Sequence, residues 1–111
     1  MPYISQHFVS AVSTNAKLVS AVPAVVYGWT FANTTANWRY VRLGNVATTP
    51  VPGTTAVVQT IGIPPNNTVS ELAPDGIAYG TGIGVWITAG AADNDATNTA
   101  ANDVVGDLFW H

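Results

Sequence analysis

Three of the six acidic residues fall in one late segment, AADNDATNTAANDV, at positions 91–104. Asp93, Asp95 and Asn98 could supply hard oxygen ligands, and calcium takes roughly six to eight of these. The spacing differs from that of a helix–loop–helix calcium loop, because Asn98 stands where the glycine should be and no glutamate closes the loop. These three residues are weak calcium candidates. The pattern favours a long polar loop between two strands, with no bound metal and no cofactor.

Catalytic groups are sparse in this chain. His7 and His111 have no neighbouring carboxylate or serine in a pattern that suggests a catalytic triad. Most of the carboxylates fall in predicted loops or at strand ends, and no nucleophile elbow, phosphate-binding glycine loop or HExxH motif occurs. We therefore expect no catalytic residues and no enzyme activity.

Aromatic and cationic residues follow one another in the segment NWRYVRLGN, at positions 37–45. Strand alternation would direct Val41 and Leu43 inward and leave the intervening side chains exposed. Exposed Trp, Tyr and Arg are enriched at protein contacts, so we favour a protein interface over a stacking platform for sugars. The candidates for contact with a partner are Trp38, Tyr40, Arg42 and Trp86.

Composition narrows the class of protein. Charged residues make up only 8% of the 111 residues, against roughly 25% in an ordinary soluble domain. The net charge of −3 gives no footprint for nucleic acid. No apolar run is long enough for a membrane helix, and the start MPYISQHFVS does not resemble a signal peptide. We expect synthesis in a cytoplasm and association with copies of the same chain or with another protein.

Strand signals dominate, separated by clusters of Gly, Pro, Asn and Thr. The sequence predicts seven or eight strands in a single-domain, all-β antiparallel sandwich, either jelly-roll or Ig-like. Residues 1–15 are predicted to form an N-terminal arm or a first edge strand, and residues 16–111 the sandwich. The predicted strands are 8–12, 16–22, 24–32, 37–45, 56–64, 67–73, 76–90 and 102–111.

Three finer predictions follow from alternation and turn residues. The strand 24–32 should direct Val25, Tyr27, Trp29 and Phe31 to the core. Residues 74–76, the sequence PDG, should form a turn. Residues 76–90 should form one long strand, with a bend or bulge near the glycines at 80–84.

Six short segments form a recognisable series of motifs: Val26-Tyr27-Gly28, Asn33 with Ala36, Arg39 to Asn45, Ile63 to Pro65, Gly76 to Thr88, and Ala92 to Ala96. Together they resemble motifs of small all-β proteins encoded by tailed bacteriophages and prophages. The resemblance runs from Ala24 to Phe109 and leaves residues 1–15 outside. Arg42 stands where the family has lysine. Gly44 replaces an aromatic residue, so no stacking role is expected there.

The resemblance implies a virion structural protein, made in the host cytoplasm and located in the virion. The role it favours is a head decoration (cement) protein that binds and stabilises the assembled capsid. The alternative is a neck, collar, tail or fibre-tip protein, which at a fibre tip could bind host surface glycans. The implied partners are the major capsid protein or another virion protein, and further copies of the chain in a homo-oligomer, for which we expect a trimer.

Overall fold

The computed structural model describes residues 2–111 and contains eight β-strands. Connections rich in Gly, Pro, Asn and Thr separate the strands, as the composition predicts, and the longest are residues 45–58 and 89–103. The strands are β1 (Ile4–Val9), β2 (Lys17–Ser20), β3 (Ala24–Asn33), β4 (Arg39–Gly44), β5 (Gln59–Ile63), β6 (Asn67–Tyr79), β7 (Ile83–Thr88) and β8 (Val104–Trp110).

The strands form two four-stranded sheets. The first sheet has the order β1-β8-β3-β6 and the second the order β2-β7-β4-β5, with every pair antiparallel. Most consecutive strands lie in different sheets, so the chain winds around the sandwich, and this order is that of a jelly roll. The predicted all-β antiparallel sandwich is confirmed. The described residues contain no helix that could cross a membrane.

The core lies between the two sheets and is built from alternate residues of each strand. On β4, Val41 and Leu43 are fully buried, as predicted. On β7, Val85 and Ile87 face the same core. β-Branched and aromatic side chains fill this space, since they suit a pleated, half-buried surface. From the first sheet the core includes Phe8, Val26, Trp29, Phe31, Val104 and Leu108.

A β-bulge at Gly28 reverses the inward face of β3. Val26 pairs with Ile77 of β6, whereas Gly28 pairs with Leu72, so one residue of β3 faces four residues of β6. Gly28 has φ of 149°, and a Cβ there would lie 2.4 Å from the Glu71 carbonyl oxygen, so only glycine fits. The inward prediction holds for Trp29 and Phe31. It is wrong for Val25 and Tyr27, which lie before the bulge on the opposite face and are only half-buried.

The predicted single strand 76–90 is instead two strands in different sheets. β6 ends at Tyr79 in the first sheet and β7 begins at Ile83 in the second, with a corner at residues 80–82. A Cβ on Gly82 would lie 2.3 Å from the Val46 carbonyl oxygen, so the corner depends on glycine. The prediction that a turn at residues 74–76 separates two strands is also wrong. These residues belong to the four-residue bulge inside β6.

The segment before β2 lies along the sandwich. β1 is an edge strand paired with β8. The residues after β1 are held by the loop before β8, where Ser10 Oγ donates to the Ala100 carbonyl at 2.8 Å and Asn15 Nδ2 donates to Thr99 Oγ1 at 2.8 Å. Residues 4–20 therefore pack as part of the same two-sheet body. Met1 lies outside the described residues.

Candidate contact surface on the second sheet

A row of planar side chains lies on the face of the second sheet that points away from the core. Because Val41 and Leu43 of β4 point inward, Tyr40 and Arg42 point to the opposite face. Trp38 precedes the strand and shares that face with Tyr40. We call Trp38, Tyr40 and Arg42 the stacked row.

The Trp38–Tyr40 pair is the accessible end of the stacked row. The two rings are nearly parallel, with 17° between their planes and centroids 6.3 Å apart. Gly62 of β5 lies against both rings, and a Cβ there would meet them at ordinary van der Waals distances of 3.4 Å and 3.6 Å. Trp38 remains 49% exposed. An aromatic surface held by stacking loses little side-chain entropy when a partner binds, which suits a contact residue.

Arg42 is fully buried, so its predicted exposure is wrong. Its guanidinium lies 5.4 Å from the centre of the Tyr40 ring. One nitrogen donates to Thr88 Oγ1, and the other donates to the carbonyls of Gly90 at 2.9 Å and Ala92 at 2.8 Å. Arg42 thus holds the loop after β7 against the sheet through these hydrogen bonds. Its planar guanidinium, with several donors in fixed positions, suits this structural role.

Trp86 is also fully buried, and its predicted exposure is likewise wrong. It lies opposite Arg42 in the β4–β7 ladder. A Cβ on Gly44 would lie 3.0 Å from the Trp86 ring and 3.1 Å from Thr55, so the loop that carries Thr55 lies against this part of the sheet. Strand alternation correctly places Trp86 on the face of the second sheet that points away from the core. The burial comes from the two loops, residues 45–58 and 89–103, that cover it.

The electrostatics of this surface centre on Arg42. Burial lowers the pKa of its guanidinium, and the nearby carboxylates of Asp95 and Asp93 oppose that shift. The indole N–H of Trp86 and the Nε–H of Arg42 are buried without a hydrogen-bond partner among residues 2–111. Because Arg42 is fully buried, its positive charge is not displayed at the surface. The stacked row therefore offers aromatic area rather than charge.

Asp95 stabilises the loop at residues 89–103, which we call the acidic loop, through hydrogen bonds within that loop. Its Oδ2 accepts hydrogen bonds from the Gly90 N–H at 2.9 Å and from the N–H and hydroxyl of Thr97 at 3.2 Å and 2.6 Å. Desolvation acts to raise the pKa of Asp95, but the hydrogen bonds from Thr97, Gly90 and Thr88 outweigh it and lower the pKa. Asp93 and Asn98 are exposed. Within residues 2–111, no group of three or more His, Cys, Asp or Glu side chains could hold a metal ion.

A shallow cleft of about 340 Å³ lies where the two covering loops meet. A Cβ on Gly53 would lie 3.3 Å from the Asn94 carbonyl oxygen, so the loops contact each other there. The cleft is lined by Gly53, Thr54, Thr55, Ala56, Val57, Asp93 and Asn94. Its lining has no titratable group other than Asp93, which suits a polar contact better than proton transfer.

The first sheet holds a pair that the sequence alone does not indicate. β1 pairs with β8 so that His7 faces Asp107, and His7 Nδ1 lies 2.9 Å from Asp107 Oδ1. Ser5 Oγ donates to the same carboxylate oxygen at 3.4 Å rather than to the imidazole. A triad needs the hydroxyl bonded to the imidazole, so this arrangement does not activate Ser5. His111 follows β8, and its backbone pairs with that of Val25.

Comparisons with known proteins give a distant structural likeness. No family model matches the chain, and no curated protein matches it. Among solved structures, the coat protein of Tobacco streak virus is similar with a TM-score of 0.49 and 10% sequence identity. The match covers 98% of this chain and 82% of the coat protein.

Proposed function

We propose that the protein is a virion structural component, and specifically a head decoration (cement) protein that binds the outside of an assembled capsid. The observation that carries this proposal is the sequence resemblance to small phage proteins, which runs from β3 to β8 of a jelly roll. Jelly rolls are a recurring architecture of viral capsid domains. The step from architecture to virion is an analogy at the level of the fold, and the resemblance in the strands and loops supports it.

The surface we assign to the capsid contact is the Trp38–Tyr40 pair. Trp38 is half exposed and braced by Tyr40, and residues of this kind contribute most of the energy of protein contacts. The partner is the major capsid protein or another virion protein. A protein that binds the assembled shell and not its free subunits stabilises the shell by mass action. Repeated copies, or a trimer of this chain, would add avidity.

The test uses intact particles with and without the protein. Particles that lack it should release their genome at lower temperature, and re-addition of purified protein should restore the loss. Trp38→Ala should reduce occupancy on the particle while leaving the unfolding temperature of the free protein nearly unchanged. Leu72→Ala is the matched control, because Leu72 is 68% exposed but lies on the first sheet. Unchanged particle stability together with lost adsorption to the host would overturn the decoration role.

One observation favours a second candidate, a neck, collar, tail or fibre-tip protein that binds glycans. Trp38 lies beside two turns rich in exposed amides: Asn37 precedes it, and the Asn66 N–H donates to the Thr35 carbonyl at 2.8 Å. A neutral, amide-bordered aromatic suits a sugar ring, and jelly rolls also occur in lectins. A glycan array tests this candidate, since binding should disappear in Trp38→Ala. Copy number separates the locations: on the order of hundreds per particle indicates the head, and about a dozen or fewer the tail or collar.

A further inference from the structure

The two sheets have four edge strands, and they differ in how they are protected. β1 and β6 border the first sheet, and β2 and β5 border the second. An edge strand presents unpaired backbone N–H and C=O groups that can pair with another chain. Natural proteins block this pairing with charges, prolines, bulges or short strands.

Three of the four edges carry such protection. β6 contains Glu71, Pro74 and Asp75 and is interrupted by its four-residue bulge. β2 is four residues long, begins at Lys17 and has a register shift. β5 is five residues long and is followed directly by Pro64. None of these edges offers a long, regular strand for pairing.

β1 has none of these features. Its six residues, ISQHFV, include no Pro, Gly, Lys, Arg, Asp or Glu. The register with β8 is continuous from Ile4 to Val9. Two of its apolar side chains, Ile4 and Val9, are about half exposed. A regular, uncharged strand can meet a second copy of itself without like-charge repulsion, whereas two copies of β2 would bring lysines together.

The hydrogen bonds identify which backbone groups are free. The Ser10 N–H donates to the Val104 carbonyl at 2.9 Å, next in register after β1. Because hydrogen-bonded and non-hydrogen-bonded pairs alternate in an antiparallel ladder, the N–H and C=O groups of Ser5, His7 and Val9 point to the free edge. The Gln6 side chain donates to the His7 carbonyl at 3.2 Å, so this carbonyl would share or release that donor when a second strand pairs.

We propose that a second copy of this chain pairs with the free edge of β1, antiparallel about a two-fold axis at His7. In this register His7 faces His7 of the second copy and Ser5 faces its Val9. The edge-directed backbone groups of Ser5, His7 and Val9 are then all paired. The two first sheets then form one continuous eight-stranded sheet. A two-fold pair differs from the trimer expected from the sequence, and a measured trimer mass would count against it. The proposal does not depend on a role in a virion.

Cross-linking tests the register directly, since the chain has no cysteine. Paired residues of this type have Cα atoms about 5.5 Å apart, within the roughly 4.4–6.8 Å that a disulfide spans. His7→Cys should form a covalent dimer under mild oxidation. Ser70→Cys is the matched control, because Ser70 is exposed on the opposite edge strand of the same sheet, and it should stay largely monomeric.

Sedimentation of the purified protein provides the second measurement. We expect a concentration-dependent dimer whose dissociation constant rises about tenfold or more in Val9→Lys, because a charged edge blocks pairing. Val22→Lys, at an exposed site outside the strands, should leave it unchanged. A wild-type protein that stays monomeric at its highest soluble concentration, or equal cross-linking of the two cysteine variants, would overturn the proposal. Neither result would bear on capsid binding through Trp38.

Discussion

The side-chain amide of Asn33, in β3 of the first sheet, donates a hydrogen bond of 3.0 Å to the carbonyl of Ile63, in β5 of the second sheet. The same nitrogen also donates to the carbonyls of Asn37 at 2.7 Å and Pro64 at 3.2 Å. Its amide oxygen accepts from the N–H and hydroxyl of Thr35. One buried amide therefore joins the two sheets at one end of the sandwich.

Replacement of Asn33 should lower stability strongly. Asn33→Ala should cost about 2–3 kcal/mol, since it leaves buried carbonyls without a donor. Asn33→Asp should cost more at pH 7, because a carboxylate would face three carbonyl oxygens. Its folded pKa would rise above the unfolded value of about 3.9, so this variant should be most stable below that pH and lose stability as the pH rises. Urea unfolding at pH 7 and at acid pH checks this, with exposed Asn37→Asp as control. Equal stability of Asn33→Asp and wild type at pH 7 would contradict the prediction.

Two glycine variants should behave in opposite ways. Gly28→Ala should lower the free energy of unfolding by about 2–4 kcal/mol, because its Cβ would meet the Glu71 carbonyl and φ is positive. Gly80→Ala has nothing within 4 Å of the added Cβ and should be neutral, or stabilising by about 0.4–1 kcal/mol through the unfolded state. Chemical denaturation measures both. Similar losses in the two variants would mean that the bulge does not depend on glycine.

Arg42→Lys should destabilise the acidic loop more than the rest of the protein. A lysine cannot reach Thr88 and both loop carbonyls with one fork of donors, so we expect a loss of about 2–3 kcal/mol. Amide exchange should accelerate most at Gly90 and Asp95, whose N–H groups bond within the loop. Arg39→Lys is the control, because a lysine can still meet Asp103. Uniform exchange across the chain would argue against a fastening role for Arg42.

Tyr79 should make the protein sensitive to alkaline pH. Burial raises the pKa of its phenol to about 12, above an unfolded value of about 10. The neutral phenol therefore contributes stability that is complete below pH ~10 and is lost as the pH rises towards ~12, by about 1–2 kcal/mol. Unfolding free energies between pH 8 and 11.5 should fall more steeply in wild type than in Tyr79→Phe. Parallel slopes in the two proteins would count against this assignment.

Much of the fold can be predicted from alternation and turn residues. The inward residues of β4 and β7 follow from a period of two in Val, Leu and Ile. The bulge at Gly28 cannot be predicted in the same way. A glycine inside a strand indicates either a bulge or the close approach of another backbone. The outcome at Gly28 depends on where β6 places Glu71, which is distant in sequence. Val25 and Tyr27 then change face although the pattern of residues is unbroken.

For the candidate site, the sequence predicts which face of the sheet each side chain occupies but not whether that side chain is exposed. Local alternation correctly directs Arg42 away from Val41, yet it carries no information about the loops that fold over that face. Arg42 and Trp86 are buried by segments distant in sequence, so their exposure could not be judged from neighbours. The His7–Asp107 pair has the same origin, because 100 positions separate the two residues and only the β1–β8 register brings them together.

The position of β8 between β1 and β3 has a consequence for folding during synthesis. Neither neighbour can complete its ladder until β8 has left the ribosome, so the first sheet cannot form progressively as the chain emerges. Pairing β1 with β8 closes a loop that spans most of the chain. Closing it costs more entropy than closing a local hairpin, so folding should be slow for a chain of this size. Until β8 arrives, the uncharged β1 strand is exposed to other nascent chains, and the yield of native protein should depend on how quickly the last strand docks.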